Sequence, residues 1–510
     1  MKTETKKAKE SLYKKRIKKN LGNVLESGYI PELGIYKKGK VRDVHFTSEK
    51  VGKPIIMVAS DRVSAFDHIL DTAIPYKGKV LNLFAKWVFE NTSDIVKNAL
   101  LESPNNSVVI QKNCKNLNFE FIVRGYVWGS LAGAYEKGER DFCGIKLTEG
   151  LLRYEKLKEP LFTPTTKTES DENVTFADVE KAIGKTLAKK AKNISFELYE
   201  RASKLAKKNG YIFLDTKYEF GTDEKGVLHL IDEANTPDSS RYCEITEYEK
   251  FKDIQKEMKT GKYKDVSELL AKKPKLKIKE LSKQFVRDVL TESGFSYGAT
   301  GKIPTLTEAQ VIETSYRYIS FYENITGLDF PFGDDTNVKQ ALVSSLIKEG
   351  YIKGGLAVMM AGSDSDADHL KSIKTELDKY DISSVVRIAS AHKQGGECTQ
   401  IINEYNKSIE PVLIIAVAGG TDALSGLASF HSVWPVVSCP PKRDEHASCL
   451  ANPPGSSNAL ILRQGNVAKF AAQYFGQTNS IYHKKIESDN KNKIQGLESA
   501  DEKARKGKLV

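Results

Sequence analysis

The sequence predicts two domains of different fold class: an N-terminal domain that mixes helices and strands, and a C-terminal α/β domain built on a doubly wound parallel sheet. With 510 residues, the chain is too long to fold around a single hydrophobic core. After residue 355, strands, loops and helices follow one another at short and regular spacing, which is typical of a parallel sheet with helices on both faces. Between residues 24 and 330, short strands and helices are mixed.

This pattern divides the chain into five segments. We expect a disordered basic tail over residues 1–23, a first domain over 24–332, a linker with one short helix over 333–355, a second domain over 356–485 and a disordered charged tail over 486–510. Lysine-rich runs in the two tails supply much of the net charge of +11. Such runs are most often solvated, so we assign them no structure.

Composition excludes several classes of protein. No apolar run reaches membrane-spanning length, and the lysine-rich first 20 residues lack the apolar stretch of a secretory signal. The six cysteines are scattered without Cys-x-x-Cys spacing, which argues against a disulfide framework and a zinc site and indicates a cytoplasmic protein. No helix-turn-helix, RNP motif or aromatic-interleaved basic stripe is present, so we expect an anionic metabolite rather than nucleic acid as the partner.

In the first domain, the predicted elements surround a glycine turn at residues 37–40. Strands are predicted on both sides of it, at 31–36 and 41–46, and a buried strand follows at 54–59. A long helix with helical apolar spacing should end at Gly210. The remaining predicted elements are this helix at 177–209, a strand at 119–127 and a hairpin that pairs 211–215 with 227–232.

In the second domain, each predicted strand runs into a loop of unusual composition. The strands lie at 356–360, 384–388 and 412–417, and the loops that follow them contain Gly-Ser-Asp-Ser-Asp, Ser-Ala-His-Lys and Ala-Gly-Gly. Because ligands of open parallel sheets bind at the carboxyl ends of the strands, these loops predict a binding site.

The first candidate site begins with Gly39 and Lys40, whose backbone N–H groups and ammonium could lie along phosphates. Such a loop is more often only a hairpin turn. Lys217 and Glu219 share one face of a strand and Asp232 ends the partner strand, an arrangement that suits Mg²⁺ with substrate phosphates. A surface ion pair on an exposed sheet face would give the same pattern, and these clusters alone leave both readings open.

Two further segments combine arginine with hydroxyl groups. Arg124 precedes Ser130 in a glycine-containing segment, and Ser240 precedes Arg241 in a turn. Both combinations can hold a phosphate or a carboxylate, although each is also compatible with an ordinary turn.

In the second domain, Ser363 and the amides of a following helix could bind a phosphate, while Asp364 and Asp366 could cap that helix or hold ribose hydroxyls. An isolated segment of this kind is more often a plain capping turn. His392 follows the next strand and faces the same loop, which makes it a candidate general acid or base.

Six motifs of the first domain, taken together and in order, resemble the SAICAR synthetase family over roughly residues 30–330. The motifs are Gly-Lys-Val-Arg-Asp at 39–43, Ser-Asp-Arg-x-Ser-Ala-Phe-Asp at 60–67, Arg-Gly-Tyr-x-x-Gly-Ser at 124–130, Asp-Glu-Asn at 171–173, Asp-Thr-Lys-x-Glu-Phe-Gly at 215–221 and Asp-Glu-x-x-Thr-Pro-Asp-Ser-Ser-Arg at 232–241. The resemblance implies an α+β, ATP-grasp-like fold. It also implies ATP-dependent ligation of carboxyaminoimidazole ribonucleotide (CAIR) to L-aspartate, giving the succinocarboxamide SAICAR.

Each candidate residue then receives an implied role. Gly39 and Lys40 should contact ATP, and Glu219 and Asp232 should hold Mg²⁺ with Lys217 beside them in a catalytic role. The residues implied to grip CAIR, the last two of them at its phosphate, are Arg124, Ser130, Ser240 and Arg241.

Four motifs of the second domain resemble the AIR carboxylase family over roughly residues 355–480: Gly-Ser-Asp-Ser-Asp at 362–366, Ser-Ala-His-Lys at 390–393, Ala-Val-Ala-Gly at 416–419 and Ser-Cys-Pro-Pro at 438–441. The resemblance implies exchange of a carboxyl group at the imidazole carbon of aminoimidazole ribonucleotide (AIR). His392 should move the proton at that carbon. The residues implied to hold the nucleotide are Ser363, Asp364, Asp366 and Ser390, with Lys393 near its phosphate.

The source of the carboxyl group stays open. Lys393 and the Cys-Pro-Pro segment resemble the class that uses CO₂ without ATP or biotin, whereas Gly420 and Ala451 depart from that class and Gly420 is more typical of the mutase that takes a carboxylated precursor. A second domain that is inactive and only assembles the oligomer is a further alternative. Another alternative is that the protein binds RNA or surfaces through its basic tails.

The two resemblances imply consecutive steps of purine biosynthesis in one chain, because one activity makes the CAIR that the other consumes. The implied partners are small molecules, namely AIR, CO₂ or bicarbonate, CAIR, L-aspartate and ATP, with Mg²⁺ and without a membrane. The resemblance also implies a homo-octamer formed through the C-terminal domain.

Overall fold

The structure is a computed structural model, and it describes residues 2–66, 68–168, 171–281, 284–295, 303–333, 337–442 and 447–508. The chain forms two compact units. The first comprises Met1–Glu26 and Lys37–Asp335, and the second comprises Ser27–Tyr36 and Thr336–Val510.

Helices and strands are mixed in the part of the chain before residue 336, as the sequence predicts. Its helices are α1 (Lys2–Lys19), α2 (Lys77–Asn91), α3 (Gly129–Glu136), α4 (Phe176–Ile183), α5 (Lys185–Lys208), α6 (Ile245–Tyr248), α7 (Lys250–Met258), α8 (Val266–Lys272), α9 (Gln284–Glu292) and α10 (Glu308–Thr326). Its strands are β1 (Ile35–Lys38), β2 (Arg42–Phe46), β3 (Pro54–Ala59), β4 (Ser64–Ala65), β5 (His68–Ile69), β6 (Leu100–Asn105), β7 (Val108–Lys112), β8 (Lys115–Asn116), β9 (Phe119–Tyr126), β10 (Asp141–Phe142), β11 (Ile145–Lys146), β12 (Lys156–Phe162), β13 (Thr165–Thr166), β14 (Tyr211–Thr222), β15 (Leu228–Ile231) and β16 (Ser240–Glu244).

Two large sheets hold twelve of these strands, and β4 with β5 and β10 with β11 form two separate two-stranded sheets. A five-stranded sheet has the order β1-β2-β3-β7-β6, and a seven-stranded sheet has the order β12-β9-β14-β15, with β13 on β9 and both β8 and β16 on β14. Strands β12, β13 and β14 pair with β9, and β8, β15 and β16 pair with β14, in each case antiparallel. Strand β14 is the hub of this sheet because it is long enough to pair with four others.

Helix α5 covers one face of the larger sheet. Its buried apolar residues, among them Leu198 and Ala202, join the aromatic residues Phe121 and Phe213 in one hydrophobic cluster. The predicted long helix is divided in two because Gly184 lies between α4 and α5 with a φ of +87°, a conformation that glycine adopts at little cost.

The second unit contains one parallel sheet with helices on both sides, which confirms the predicted architecture of this part. Its elements are α11 (Val338–Lys348), β17 (Leu356–Ala361), α12 (Ala367–Lys379), β18 (Ser383–Ile388), α13 (Gly395–Tyr405), β19 (Val412–Val417), α14 (Leu424–His431), β20 (Val436–Ser438), α15 (Ala447–Leu450), β21 (Ala459–Leu460), α16 (Gln464–Phe475) and α17 (Ile481–Arg505). The strand order is β18-β17-β19-β20-β21, and all four pairings are parallel.

Strand β17 shows why this part of the sequence is so apolar. All six of its residues are buried. Met359 faces a cluster with α12 and α16, whereas its neighbours Val358 and Met360 face a second cluster with α13 and α14. A strand that is covered on both faces has no solvent-facing positions, so its sequence loses the alternation of a half-buried strand.

The segment 27–36 differs from the prediction, which placed it in the first domain. It belongs to the second unit, where Tyr29 donates a hydrogen bond to Glu404 (3.1 Å) and the backbone N–H of Glu32 donates one to Glu410 (2.8 Å). Residues Pro31–Leu33 form a 3₁₀ turn, and the strand begins only at Ile35. These long-range partners leave no signal in the local sequence.

The structure corrects the expectation of a disordered tail over residues 1–23. Helix α1 buries Ile17 completely, and its lysines pair with carboxylates of α10. The pairs are Lys9 with Glu323 (2.9 Å), Lys14 with Glu313 (2.8 Å) and Lys18 with Glu308 (2.8 Å). Basic residues in the tail therefore complement an acidic helix that is distant in sequence.

The C-terminal segment, expected to be disordered over 486–510, is also helical. Helix α17 is anchored by Tyr482 and Ile486, which are buried against α12 and α16, and by a hydrogen bond from Tyr380 to Asp489 (2.8 Å). Ion pairs four residues apart, such as Lys493 with Asp489, support its exposed part. Within the described residues, no helix is both long enough and apolar enough to cross a membrane.

The packing of α1 gives a stability prediction. Replacing Ile17 by Ala should lower the free energy of unfolding by about 2–5 kcal/mol, because it removes a fully buried side chain and leaves a cavity. Leu12 lies on the same helix with 63% of its surface exposed, so Leu12→Ala should change the free energy of unfolding by less than about 0.5 kcal/mol. Chemical denaturation measures both, and equal effects of the two substitutions would show that α1 is not docked.

Candidate active sites

A charged cavity of about 760 Å³ lies in the first unit, on the face of β9, β14 and β16. Strand β9 contributes Arg124, β14 contributes Asp215 and Lys217, and β16 contributes Arg241. Antiparallel pairing places Asp215 opposite both Arg124 and Arg241, so three charged side chains from three strands meet at one point. The cavity wall carries six Arg or Lys and six Asp or Glu residues, so the opposite charges balance over the whole wall, and its arginines offer local contacts for an anion.

Asp215 fixes the two arginines. Its Oδ2 accepts hydrogen bonds from Arg124 Nη1 (3.1 Å) and Arg241 Nη1 (2.6 Å). Arg124 also donates to the hydroxyls of Thr163 (2.9 Å) and Ser130 (3.1 Å). One carboxylate thus holds the guanidinium groups of Arg124 and Arg241 close together in the wall of the cavity.

Gly129 is the residue that lets Arg241 approach. Its φ is +55°, and a Cβ built there would lie 2.5 Å from Arg241 Nη1. A side chain at this position would therefore be strained and would displace the guanidinium. By contrast, a Cβ at Gly133, in the same helix α3, would meet nothing within 4 Å.

Glu280 and Arg287 extend the charged wall of the cavity. Glu280 is buried, and its Oε2 lies 3.4 Å from Arg241 Nε while its Oε1 lies 3.7 Å from Arg287 Nη1. Burial raises the pKa of the Glu280 carboxyl, and the two arginines oppose that shift. Sequence analysis missed both residues because neither stands in a recognisable pattern.

A buried ion pair supports the turn that carries Ser240. Lys77 is fully buried and donates to Asp238 Oδ2 (2.8 Å), and Tyr318 donates to Oδ1 of the same carboxylate (2.7 Å). The hydroxyl of Ser240 lies 2.7 Å from that of Thr216 on β14. Removing one member of such a buried pair leaves an uncompensated charge, so the turn is held firmly.

Glu219 and Asp232 lie where the five-stranded sheet faces the end of β15. Arg42 of β2 donates to Asp232 (2.7 Å), and Gln111 of β7 donates to the Asp232 carbonyl (2.9 Å). Glu219, opposite Ile231 in the register of β14 and β15, contacts Lys167. The two predicted carboxylates therefore share one cleft, and three basic side chains reach it: Arg42, Lys167 and Lys217.

The charges of Glu219 and Asp232 bear on whether this pair could bind a metal ion. Burial and the negative charge of Asp232 raise the pKa of Glu219, while Arg42 lowers the pKa of Asp232 against the effect of its burial. A divalent cation would relieve the repulsion between the two carboxylates, and oxygen donors of this kind suit Mg²⁺. Among the described residues, no group of three or more His, Cys, Asp or Glu side chains is placed to hold a metal ion, so substrate oxygens would have to complete the coordination.

Hydrogen bonds from Arg62 fix the loop that contains Gly39 and Lys40. This guanidinium donates to the carbonyls of Gly39 (2.9 Å) and Lys40 (3.2 Å) and forms a buried ion pair with Asp43 (2.8 Å). A Cβ on Gly39 would lie 2.1 Å from the carbonyl oxygen of Arg42, so only glycine fits. The two motifs that contain Asp43 and Arg62 thus shape one loop.

Asp61 and Ser60 have structural roles in the same region. Asp61 accepts hydrogen bonds from the N–H groups of Leu25 (2.8 Å) and Gly78 (2.9 Å), and burial raises its pKa to about 6. The Ser60 hydroxyl donates to the carbonyl of Val41 (2.7 Å). Asp67, the last residue of this motif, lies outside the described residues.

A second cavity, of about 790 Å³, lies at the carboxyl ends of β17, β18 and β19 in the second unit. The strand order reverses between β17 and β19, and ligands of doubly wound sheets bind at such a point. Ser363, Asp366, Ser390 and His392 line it, together with Gly419 and Gly420. Asp364 and Lys393 have exposed side chains and are not among the described residues that line the cavity.

Two loops approach closely in this second cavity. A Cβ on Gly419 would lie 3.0 Å from Asp366 Oδ1, which is tighter than an ordinary contact. Asp422, in the same loop, is buried and accepts hydrogen bonds from the Ser425 N–H (2.8 Å) and the Ser438 hydroxyl (2.7 Å). It therefore fixes the loop after β19 to the end of β20. Burial raises the pKa of Asp366.

The structure thus brings together most of the predicted residues of each site. Arg124, Ser130, Lys217 and Ser240 line the first cavity with Arg241, whereas Gly39, Lys40, Glu219 and Asp232 are not among its described lining residues. Residues without a sequence signal complete the sites, in particular Glu280, Arg287 and Lys167 in the first and Lys442 in the second, where Pro441 of the Ser-Cys-Pro-Pro motif also lines the cavity.

Comparisons with known proteins agree with this geometry. Residues 35–275 match the family model of SAICAR synthetase, and residues 356–495 match that of AIR carboxylase. A phosphoribosylaminoimidazole-succinocarboxamide synthase of Cytophaga hutchinsonii is 38% identical over 325 residues, which is 62% of this chain and 95% of that protein. The chloroplastic protein of the same description from Arabidopsis thaliana is 37% identical over 323 residues, 61% of this chain and 72% of that protein.

A solved structure is similar to the first part of the chain. The SAICAR synthase of Saccharomyces cerevisiae, complexed with SAICAR, shares 28% identity and superposes with a TM-score of 0.50 over 60% of this chain and 99% of that one. Taken with the cavities and their charged residues, these matches show that the chain belongs to the SAICAR synthetase family and carries an AIR carboxylase family domain after it.

Proposed function

We propose that the first unit ligates CAIR to L-aspartate with ATP, giving SAICAR, ADP and phosphate. The observation that carries this proposal is the pair of neighbouring features on β14. The Asp215 end of β14 holds two arginines at a cavity, and its Glu219 end forms a carboxylate pair with Asp232, which Arg42, two residues after Lys40, contacts. One strand therefore offers a grip for an anionic substrate and a place for phosphates.

The proposed roles follow the chemistry of the side chains. Arg124 and Ser130 hold CAIR, and Ser240 and Arg241 hold its phosphate, since a guanidinium beside a hydroxyl suits that group. Gly39 and Lys40 contact the phosphates of ATP. Lys217, whose pKa Glu120 raises despite burial, stays cationic beside the reacting groups.

Mg²⁺ fits the Glu219 and Asp232 pair, and these two residues would hold it. When bound, the ion neutralises charge on the phosphates of ATP.

The γ-phosphoryl group of ATP passes to the carboxylate of CAIR, releasing ADP and forming an acyl phosphate. The amine of aspartate then attacks that carbon, the C–N bond forms, and phosphate leaves. The cationic side chains lower the barrier by stabilising charge on the transferring group. The relation of this unit to ATP-grasp folds, which the resemblance implies, remains part of this proposal.

The ligase assay with two glycine variants tests this proposal. Gly129→Ala should raise the KM for CAIR at least tenfold, because the new Cβ displaces the Arg241 guanidinium. Gly133→Ala, in the same helix with open space around its Cβ, should leave KM unchanged. SAICAR formation from CAIR, aspartate and ATP is measured, with thermal unfolding to confirm that both variants fold.

If the wild-type chain forms no SAICAR under these conditions, the proposed function is wrong. If both variants raise the KM for CAIR equally, Arg241 has no part in holding CAIR and its assignment fails.

We also propose that the second unit carboxylates AIR to CAIR, with CO₂ as the source of the carboxyl group. The cavity at the β17–β19 switch point and the position of His392 in its wall support this. His392 would take the proton from the imidazole carbon as the new C–C bond forms. Ser363, Asp366 and Ser390 would hold the nucleotide, and Asp364 and Lys393 would act from the rim.

Formation of CAIR from AIR and bicarbonate without ATP tests the second activity. His392→Asn should lower the rate at least a thousandfold, while His431→Asn, at an exposed position at the end of α14, should have no effect. The ligase activity of both variants should remain unchanged. If only a carboxylated precursor of CAIR is accepted, the second unit is a mutase, and if neither substrate reacts it is not a carboxylase of any class.

We propose further that the second unit forms the homo-octamer that its family implies. Exposed apolar side chains support an interface there: Val386 and Ile388 on the edge strand β18, and Phe430 and Val433 at the end of α14. Side chains of this kind are costly in water and mark contact surfaces when they cluster. Light scattering should give eight times the chain mass of 56.8 kDa, and Phe430→Glu should reduce it, whereas a monomeric wild type would contradict the proposal.

A further inference from the structure

A further cavity of the first unit, on which no proposed role rests, lies on the opposite face of the strands that carry Arg124 and Asp215. It has a volume of about 890 Å³ and is enclosed by β9, β12, β14 and α5. Alternate residues of a strand point to opposite faces. Gly125 therefore lines this cavity while the adjacent Arg124 lines the charged one.

Aromatic rings dominate the inner wall. Tyr126, Phe196, Tyr199 and Phe213 are among the lining residues, and the rings of Tyr199 and Phe213 are stacked with centroids 5.2 Å apart. Tyr199 and Phe213 are buried, so the partly exposed rings of Tyr126 and Phe196 are the ones that can face a further planar ring. A volume of this size would accommodate a ligand as large as a nucleoside monophosphate.

The rim of the same cavity is charged. Lys156, Lys158 and Lys207 stand against Glu159 and Glu200, which gives an excess of one positive charge. Glu200 is engaged elsewhere, since its carboxylate pairs with Lys204 at 2.7 Å. The cations therefore outweigh the anions at the mouth, and the cavity combines an aromatic interior with a basic rim.

We propose that this cavity is a second binding site of the first unit, for a planar aromatic anion of about the size of a nucleoside monophosphate. The ring of the ligand lies among the tyrosine and phenylalanine rings, and its anionic group lies at the lysines. Tyr199 is fixed in the wall of this cavity, since its hydroxyl donates to the carbonyl of Phe213 (2.8 Å) and would lie 2.0 Å from a Cβ on Gly125. The site is separate from the proposed CAIR and ATP sites and does not depend on their assignment.

Binding of the fluorescent aromatic anion anilinonaphthalene sulfonate to the full chain tests this inference. A non-hydrolysable ATP analogue and CAIR are present at saturation, so that the two proposed active sites are occupied. Ser203→Trp fills the cavity from α5, and Lys207→Glu reverses a charge at its mouth. Each should weaken binding at least tenfold, whereas Lys208→Glu, an exposed lysine of the same helix that does not line the cavity, should change it less than twofold.

Competition defines the ligand class. Adenosine monophosphate should displace the probe, and adenosine or inorganic phosphate alone should be at least tenfold less effective, because the ring and the charge bind together. Thermal unfolding checks that the three variants fold, and Lys207→Glu carries the test if Ser203→Trp does not. Equal loss of binding in Lys207→Glu and Lys208→Glu, or no loss in the variants that fold, would overturn the inference, as would equal displacement by phosphate alone.

Discussion

The pairing of β9 with β14 is the constraint on which the rest of the first unit depends. Its register sets Arg124 opposite Asp215, and the neighbouring β16 sets Arg241 opposite the same carboxylate. Because the strands have two faces, the same pairing also fixes the apolar contacts with α5 on the reverse side. A slip of one residue would exchange the charged face for the apolar one, so the core and the site enforce the same register.

Both sites hold their charges in advance. Asp215 positions two arginines, Arg62 and Asp43 shape the Gly39–Lys40 loop, and Asp422 fixes a loop of the second unit. Burying such groups costs free energy that the pairs recover only in part. In exchange, these side chains need not reorganise when an anionic substrate binds. Preorganised charges of this kind are a main source of electrostatic stabilisation of the transition state.

Much of the fold followed from local pattern. The strands at 54–59, 384–388 and 412–417 were predicted within one residue, because apolar runs bounded by polar turns leave little choice. The helices in the two tails were not predicted. Helix α1, for example, is held by the buried side chain of Ile17 and by lysines that pair with α10, some 300 residues away in the sequence. Glu280 and Arg287 were missed for the same reason, since their importance lies in contact with Arg241 rather than in spacing.

The sequence by itself determined the two fold classes, the family motifs and the candidate side chains, because these depend on residue type and on order along the chain. Only the tertiary structure decided which of them meet. Arg42 and Gln111 contact Asp232 from another sheet. The missing side chain of Gly129 leaves room for the Arg241 guanidinium. Segment 27–36 belongs to the second unit. Such contacts join residues that are distant in sequence, and burial and charge compensation select them only when the whole chain is folded.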